Sequence, residues 1–302
     1  MQTSQPMSEH TRGLWYGVAA YVVWGVSPLF WNLIDEVPAL DLITYRVAFA
    51  FPILAIAIST RHLWPQVRRD FASTRALLMT TAAAALLMTN WGLYVWAVTS
   101  GHVVDASLGY FINPLVSIAL GVIVLHERLR RLQWVAVGIA AVGVIGMGLK
   151  LGAVPWISLT LAFSFGVYGL LKKRVDAPKP LPGLFGEVAV LTIPAIVVWL
   201  AYNDPTSPVI APSVTAVAFL VGTGAITVIP LLLFGASAQR IPLATVGVLQ
   251  YIAPTLQLLV GLTVLNERLI PATLFGFAMV WTALALYTAD SLRSNRSEPA
   301  AT

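Results

Sequence analysis

"YFINPLVSIALGVIVLHERL", residues 110–129, and "QYIAPTLQLLVGLTVLNERL", residues 250–269, align without a gap at an offset of 140. Pro114 falls on Pro254 and Gly121 on Gly261. Leu125, Glu127, Arg128 and Leu129 fall on Leu265, Glu267, Arg268 and Leu269. The register reaches back to Tyr94 over Phe234. Earlier in each half the offset is 141, which sets Trp24-Gly25 over Phe165-Gly166 and brings Pro52 within one residue of Pro194. Shared hydrophobicity does not produce a P-x6-G-x3-L-x-E-R-L match in equivalent helices, so the chain reads as a duplicated unit.

What is duplicated follows from composition. Of the 302 residues, 58% are hydrophobic and 10% charged, against about 25% charged in soluble domains. Ten apolar stretches approach the roughly 20 residues that a spanning helix needs. They lie near 13–34, 40–60, 75–98, 103–125, 132–149, 152–171, 182–202, 212–236, 243–265 and 271–289. Continuous spans of this kind are helices, because an open sheet edge is not tolerated in lipid. The first stretch is too long for the apolar region of a signal peptide, so it reads as a spanning helix. With the N-terminus in the cytoplasm, fifteen of the eighteen Lys and Arg fall on inside segments. Lys150 and Arg268 fall outside, and Arg46 lies within a span. Basic residues concentrate on the cytoplasmic side, which sets both termini inside. The same distribution explains the net charge of +5 without nucleic acid.

Five spans per unit is an odd number, so the two units cross the membrane in opposite senses. The expected fold is therefore all-α and integral to the membrane, with ten transmembrane helices as two inverted five-helix repeats. Residues 1–12 form a cytoplasmic tail, 13–150 the first repeat, 151–290 the second and 291–302 a polar cytoplasmic tail.

"NPLVSIALGVIVLHERLRRLQWVAVGIAAVGV" (113–144) resembles the EamA signature of the drug/metabolite transporter superfamily. "AAYVVWGVSPLFWNLI", "TYRVAF" and "SLGYFINPLVSIALG" resemble its RarD branch. The resemblance covers nearly the whole chain. It implies two EamA-like halves and a central cavity lined by spans 1, 3, 4, 6, 8 and 9, in a bacterial inner membrane. It supplies no substrate.

Several chemistries are excluded. There is no phosphate-binding G-x-x-x-x-G-K-[ST] loop and no H-E-x-x-H, and the chain has no cysteine. The four histidines fall in tails, loops or helix ends, so neither a metal nor a cofactor is expected. Partners are the lipid bilayer and a small-molecule substrate, and a homo-oligomer is left open.

Polar and aromatic side chains gather on the spans assigned to the cavity. They are Trp24 on span 1; Asn90, Trp91 and Tyr94 on span 3; Tyr110 and Asn113 on span 4; Tyr168 on span 6; and Gln250, Tyr251 and Gln257 on span 9. Interhelical bonding explains any one of them. The set reads as an amphipathic cavity that binds substrate. Pro114 and Pro254 sit mid-span and either hinge the substrate path or only kink the helices. Glu127 and Glu267 are read as structural, capping or pairing locally.

Arg46 and Glu187 are repeat mates at offset 141 and the clearest intramembrane charges. Each lies roughly 9 Å inside its own face at about 1.5 Å per residue. In a core about 30 Å thick that leaves roughly 12 Å between them, so separate partners are expected. Asp105 or Asp41 is a candidate for Arg46, and Lys172 or Arg240 for Glu187. An unpaired Arg at helix centre costs about 2.5–3.5 kcal/mol on insertion scales, so either Arg46 snorkels and pairs locally or it attracts an anionic solute. Glu187, with Asp105, is a candidate for ion coupling, because burial moves a carboxyl toward neutral pH. The expected function is secondary transport of a small organic metabolite or drug-like solute by alternating access. The rival is a non-transporting multi-pass protein, such as a sensor or assembly factor.

Overall fold

The computed structural model describes residues 7–34, 37, 39–148, 155–174, 177–202, 214–264 and 271–297. Among these, every regular element is helical: α1 (Glu9–Trp31), followed by a 3-10 turn Asn32–Ile34, α2 (Ala39–Thr60), α3 (Trp64–Ala72), α4 (Thr74–Thr99), α5 (Val103–Ile123), α6 (Arg131–Gly148), α7 (Trp156–Lys173), α8 (Pro180–Tyr202), α9 (Val214–Ala238), α10 (Leu243–Gln250), α11 (Ile252–Thr263) and α12 (Pro271–Ser297). Lys150, Glu267 and Arg268 lie outside the described residues.

Seven described segments are long and apolar enough to cross a membrane: α1, α2, α4, α5, α8, α9 and the α10–α11 pair. α6 and α12 hold shorter apolar stretches, and α7 ends in Lys172 and Lys173. The outer surface carries the same message. Ile123, Ile193 and Leu200 are 70%, 69% and 68% exposed. A surface of that kind would aggregate in water and is at home in lipid.

The helix ends have local causes. Ser8 caps α1 by accepting from the Thr11 amide at 3.1 Å, and Ser73 caps α4 through Ala76 at 3.4 Å. His62 and His126 adopt left-handed φ values of 54° and 55° just past α2 and α5, which is how a helix commonly stops. Two features depart from the apolar pattern. α3 is a short amphipathic helix in what hydropathy presents as a loop; Pro65 in its first turn starts it, and Val67 is its buried side. α12 continues to Ser297, past the point near 289 where hydropathy ends the span.

Lipid gives no hydrophobic drive for helix association, so close backbone approach matters. α1 packs on α9 and α11, α2 on α8 and α9, α4 on α7 and α8, α5 on α7 and α10, and α6 on α12. A Cβ on Gly224 would lie 2.6 Å from the Phe49 carbonyl carbon, so α2 and α9 touch backbone to backbone there. Phe234 is wholly buried and holds Tyr21, Trp24, Phe165 and Tyr168 around its ring at centroid distances of 6.3, 6.0, 5.0 and 5.7 Å.

One end of the bundle is tied by polar contacts. Arg240 Nε meets Glu9 at 2.8 Å, and Arg130 Nε meets Asp290 at 2.6 Å. Lys173 donates to the Ile241 carbonyl, and Gln239 donates to the Pro178 carbonyl at 2.9 Å. The segments that the Lys and Arg distribution placed on one side thus meet at one face.

Candidate functional site

Arg46 lies on α2 and reaches α9. Its Nε donates to Thr227 Oγ1 at 2.9 Å. Thr227 donates its own proton to the Thr223 carbonyl at 2.7 Å, so its oxygen is left to accept. The guanidinium lies 4.5 Å from the Trp91 ring centroid and 5.3 Å from that of Trp31, within range of cation–π attraction. The Tyr94 and Tyr110 phenols are near enough to act on the guanidinium electrostatically, and their rings meet edge-on at 5.7 Å. Although both are mid-helix and face each other, they remain 37% and 41% exposed. With Trp31, Trp91 and Thr227 they surround the guanidinium from α1, α4, α5 and α9.

Among the described residues no carboxylate forms an ion pair with Arg46. The expected partner Asp105 is instead beside His102, Oδ2 to Nδ1 3.5 Å. The reason is its place in the first turn of α5, beyond the reach of a side chain that turns inward to α9. His102 also stacks on Trp96 at 5.4 Å. Arg46 therefore presents a positive charge among aromatic rings, which suits a group that is both anionic and bulky.

Glu187 is elsewhere and is 2% exposed. Lys172 pairs with its carboxylate, and the Tyr168 hydroxyl donates to it at 3.1 Å. Both partners are on α7, one turn apart, so the pair ties α7 to α8. Arg240, the alternative partner, is taken by Glu9. Tyr168 was expected on the cavity wall. It is wholly buried between Glu187 and Phe234.

Most other polar residues on the sequence-derived cavity spans join helices. Asn90 spends both amide hydrogens on α7, to the Leu161 carbonyl at 2.9 Å and to Ser164 Oγ at 3.0 Å. Gln250 donates to Ser117 Oγ at 2.8 Å. The Tyr251 hydroxyl donates to the Phe111 carbonyl at 3.3 Å, and Gln257 donates to the Trp24 carbonyl at 3.3 Å. Trp24 packs on Phe165 at 5.7 Å. Asn113 is buried and its Oδ1 has no partner.

The two prolines differ. α5 runs unbroken through Pro114. Three residues before Pro254 the chain steps at Tyr251 from α10 to α11. Pro114 is packed at a crossing, where a Cβ on Gly247 would lie 2.8 Å from its carbonyl oxygen.

Sequence reasoning missed Thr227 as the hydrogen-bond partner of Arg46 and Trp31 as a ring beside it. It also left open which helix Glu127 caps. The Glu127 carboxylate accepts from the Leu243 and Ala244 amides at 2.7 and 2.8 Å, at the N-terminus of α10.

Residues 11–149 match the EamA-like transporter family. The chain is 45% identical to protein RarD of Streptomyces exfoliatus, over 96% of this chain and 92% of that one. It is 40% identical to an uncharacterized transporter of Pseudomonas aeruginosa, over 95% and 97%. It is 36% identical to protein RarD of Escherichia coli, over 94% and 96%. A crystal structure superimposes with a TM-score of 0.73 over 93% of this chain and 98% of the other, at 17% identity, so the fold is shared.

Proposed function

Because this chain belongs to the EamA-like transporter family, among its RarD-like members, we propose that it is a secondary transporter that carries a small organic anion across the inner membrane by alternating access. It is a multi-pass membrane transporter and not an enzyme. The observation that carries the substrate class is Arg46. Its guanidinium is held by Thr227 and by two indole faces, beside the part-exposed Tyr94 and Tyr110. A carboxylate or phosphate on the solute would take the remaining guanidinium N–H groups in a forked contact. The ring-bearing walls would take its apolar part.

Alternating access rests on two inverted halves, and the packing supports that reading. Exchange α1 with α7, α2 with α8, α4 with α9, and α5 with α10–α11. The contacts α1–α11 and α1–α9 then become α7–α5 and α7–α4, and all four are observed. The correspondence extends to residues. A Cβ on Gly25 would meet Leu256 Cβ at 2.6 Å, and one on Gly166 would meet Val116 Cγ1 at 2.8 Å. Gly25 and Gly166 are mates at offset 141, and Val116 and Leu256 at offset 140. Pro114 and Pro254 fall in the helices that would rock against each other. The polar face would be cytoplasmic and carry both termini, as its basic residues favour.

Glu187 and Asp105 take no coupling role in this reading. Each already has a partner within the chain, Lys172 with Tyr168 and His102 respectively. Purified protein in liposomes, loaded with candidate carboxylates and organic phosphates, tests the proposal. Counterflow of at least one such anion, lost in Arg46→Gln, is the expected result. Counterflow only of neutral or cationic solutes would sink the anion assignment.

A further inference from the structure

The exchange of α1 with α7 and of α4 with α9 matches most of the packing, but it fails at one joint. α9 packs on α1 and also on α7. Its mate α4 packs on α7 and at most grazes α1. The contact α7–α9 is therefore made, and its counterpart α1–α4 is not. Phe234 carries the contact that is made. Its ring meets Phe165 and Tyr168 of α7 at 5.0 and 5.7 Å. A Cβ on Gly169 would lie 3.2 Å from Phe234 Cζ and 3.4 Å from Leu243 Cδ1. Phe234 and Leu243 are both wholly buried.

The mates of these two at offset 140 are Tyr94 and Val103. They are 37% and 49% exposed. All four side chains are large and mainly apolar, so composition does not explain the difference. The two halves hold matching parts in two arrangements. With inverted repeats, exchanging the arrangements of the halves closes the open face and opens the closed one. The residues that would meet Tyr94 follow from the repeat. Phe165 and Tyr168, less 141, are Trp24 and Ser27 of α1.

We propose that Phe234 and Tyr94 are the two alternating gates of this protein. Phe234 seals the polar end in the arrangement seen here, and Tyr94 seals the opposite end by closing on Trp24 and Ser27 in the other. This rests on the alternating-access reading above. The joint that closes is also the one that holds Arg46. Trp31 of α1 lies on one side of its guanidinium and Trp91 of α4 on the other. Trp91 and Tyr94 are three residues apart and share a helix face. Drawing α1 onto α4 therefore shuts over the guanidinium and over the anion it would bind. The two gates compete, because breaking α7–α9 and making α1–α4 are parts of one exchange. Loosening either seal shifts the population toward the state in which the other is shut.

The chain has no cysteine, so introduced thiols report alone. The full-length protein in membrane vesicles is treated with a membrane-impermeant maleimide, which needs a thiolate in water. Tyr94→Cys is expected to react. An unreactive thiol means that this position faces lipid, and overturns the gate. The double variant Ser27→Cys/Tyr94→Cys is then treated with bismaleimidoethane, which captures the closed outer joint irreversibly. Adding Phe234→Ala loosens the inner seal and is expected to raise the yield of this link severalfold. Phe234→Leu shows the same direction where the alanine variant loses its cooperative melt. No link in either background overturns the proposal, and so does a yield that the Phe234 variants leave unchanged or lower. Counterflow of the carboxylates and organic phosphates is measured separately. A protein that exchanges one of them without the outer link keeps the transporter reading and loses these gates.

Discussion

Glu127 closes the helix of the first repeat motif and caps Leu243, which opens the corresponding helix of the second, at 2.7 Å from carboxylate to amide. The second oxygen takes the Ala244 amide at 2.8 Å. The first amides of a helix have no partner within it, and an anion there also meets the positive end of the helix dipole. The contact fastens the segment after α5 to the start of α10. Beside it a Cβ on Gly121 would lie 2.6 Å from Glu127 Oε2, so the glycine makes room for the carboxylate.

The cap predicts a graded series. Glu127→Ala leaves two amides without an acceptor and should cost about 1–2 kcal/mol. Glu127→Gln keeps one acceptor without the charge and should cost about half of that. Thermal melting of the three proteins in one detergent checks the order. A Gln variant less stable than the Ala variant would contradict the cap.

Arg46 predicts a split between charge and shape. Arg46→Gln should lower solute counterflow at least about tenfold, since truncating a buried bonded charge costs about 2–5 kcal/mol. Arg46→Lys keeps the charge but loses the planar fork and the stacking on Trp91, so it should recover only part of the flux. Thr227→Val removes the acceptor for Nε without touching the aromatic rings and should behave as a milder Arg46→Lys. Full flux in Arg46→Gln would return this arginine to a structural role.

How much of this was legible depends on range along the chain. The all-helical, membrane-spanning character is visible because it rests on local hydropathy, and the repeated motif because the sequence carries two copies of one pattern. α3 escaped because it is short and charged on one side, so hydropathy sees a loop. The separate partners of Arg46 and Glu187 followed from depth alone, and Lys172 was within reach of that argument. Thr227 was not. It is 181 residues from Arg46, and its value lies in spending its proton on Thr223, a property of geometry with no sequence pattern. The cap of Leu243 by Glu127 has the same character, since the motif announces an acid at a helix end but not which helix it serves. Asn90 shows why the set had to be read together: interhelical bonding explains any one of these residues, and the Asn90 amide is such a link, from α4 to α7.

The buried pair of Lys172 and Glu187 predicts non-additivity. Glu187→Gln alone or Lys172→Met alone strands a partner in the core, and each should cost about 3–5 kcal/mol. Removing both together should cost less than the sum, by about 1–3 kcal/mol. Yield of folded protein and melting temperature give the cycle. Simple additivity would mean that the two side chains act independently, and would reopen Glu187 as a coupling group.

The inverted repeat itself can be tested at its paired crossings. Gly25 accepts Leu256 and Gly166 accepts Val116, and the four residues form two mated contacts. Gly25→Ala and Gly166→Ala each insert a methyl group where no space exists, and should each cost about 1–3 kcal/mol. Removing the facing atom should restore stability locally: Leu256→Gly should rescue Gly25→Ala, because the close atom is Leu256 Cβ, and Val116→Ala should rescue Gly166→Ala, because it is Val116 Cγ1. The crossed combinations should not rescue, because one contact joins α1 to α11 and the other α7 to α5. Melting of the four double variants decides it. If the halves are structural mates, both matched pairs should rescue. A rescue confined to one of them would show that the second crossing has drifted from the geometry of the first, and that the two halves no longer move by equivalent contacts.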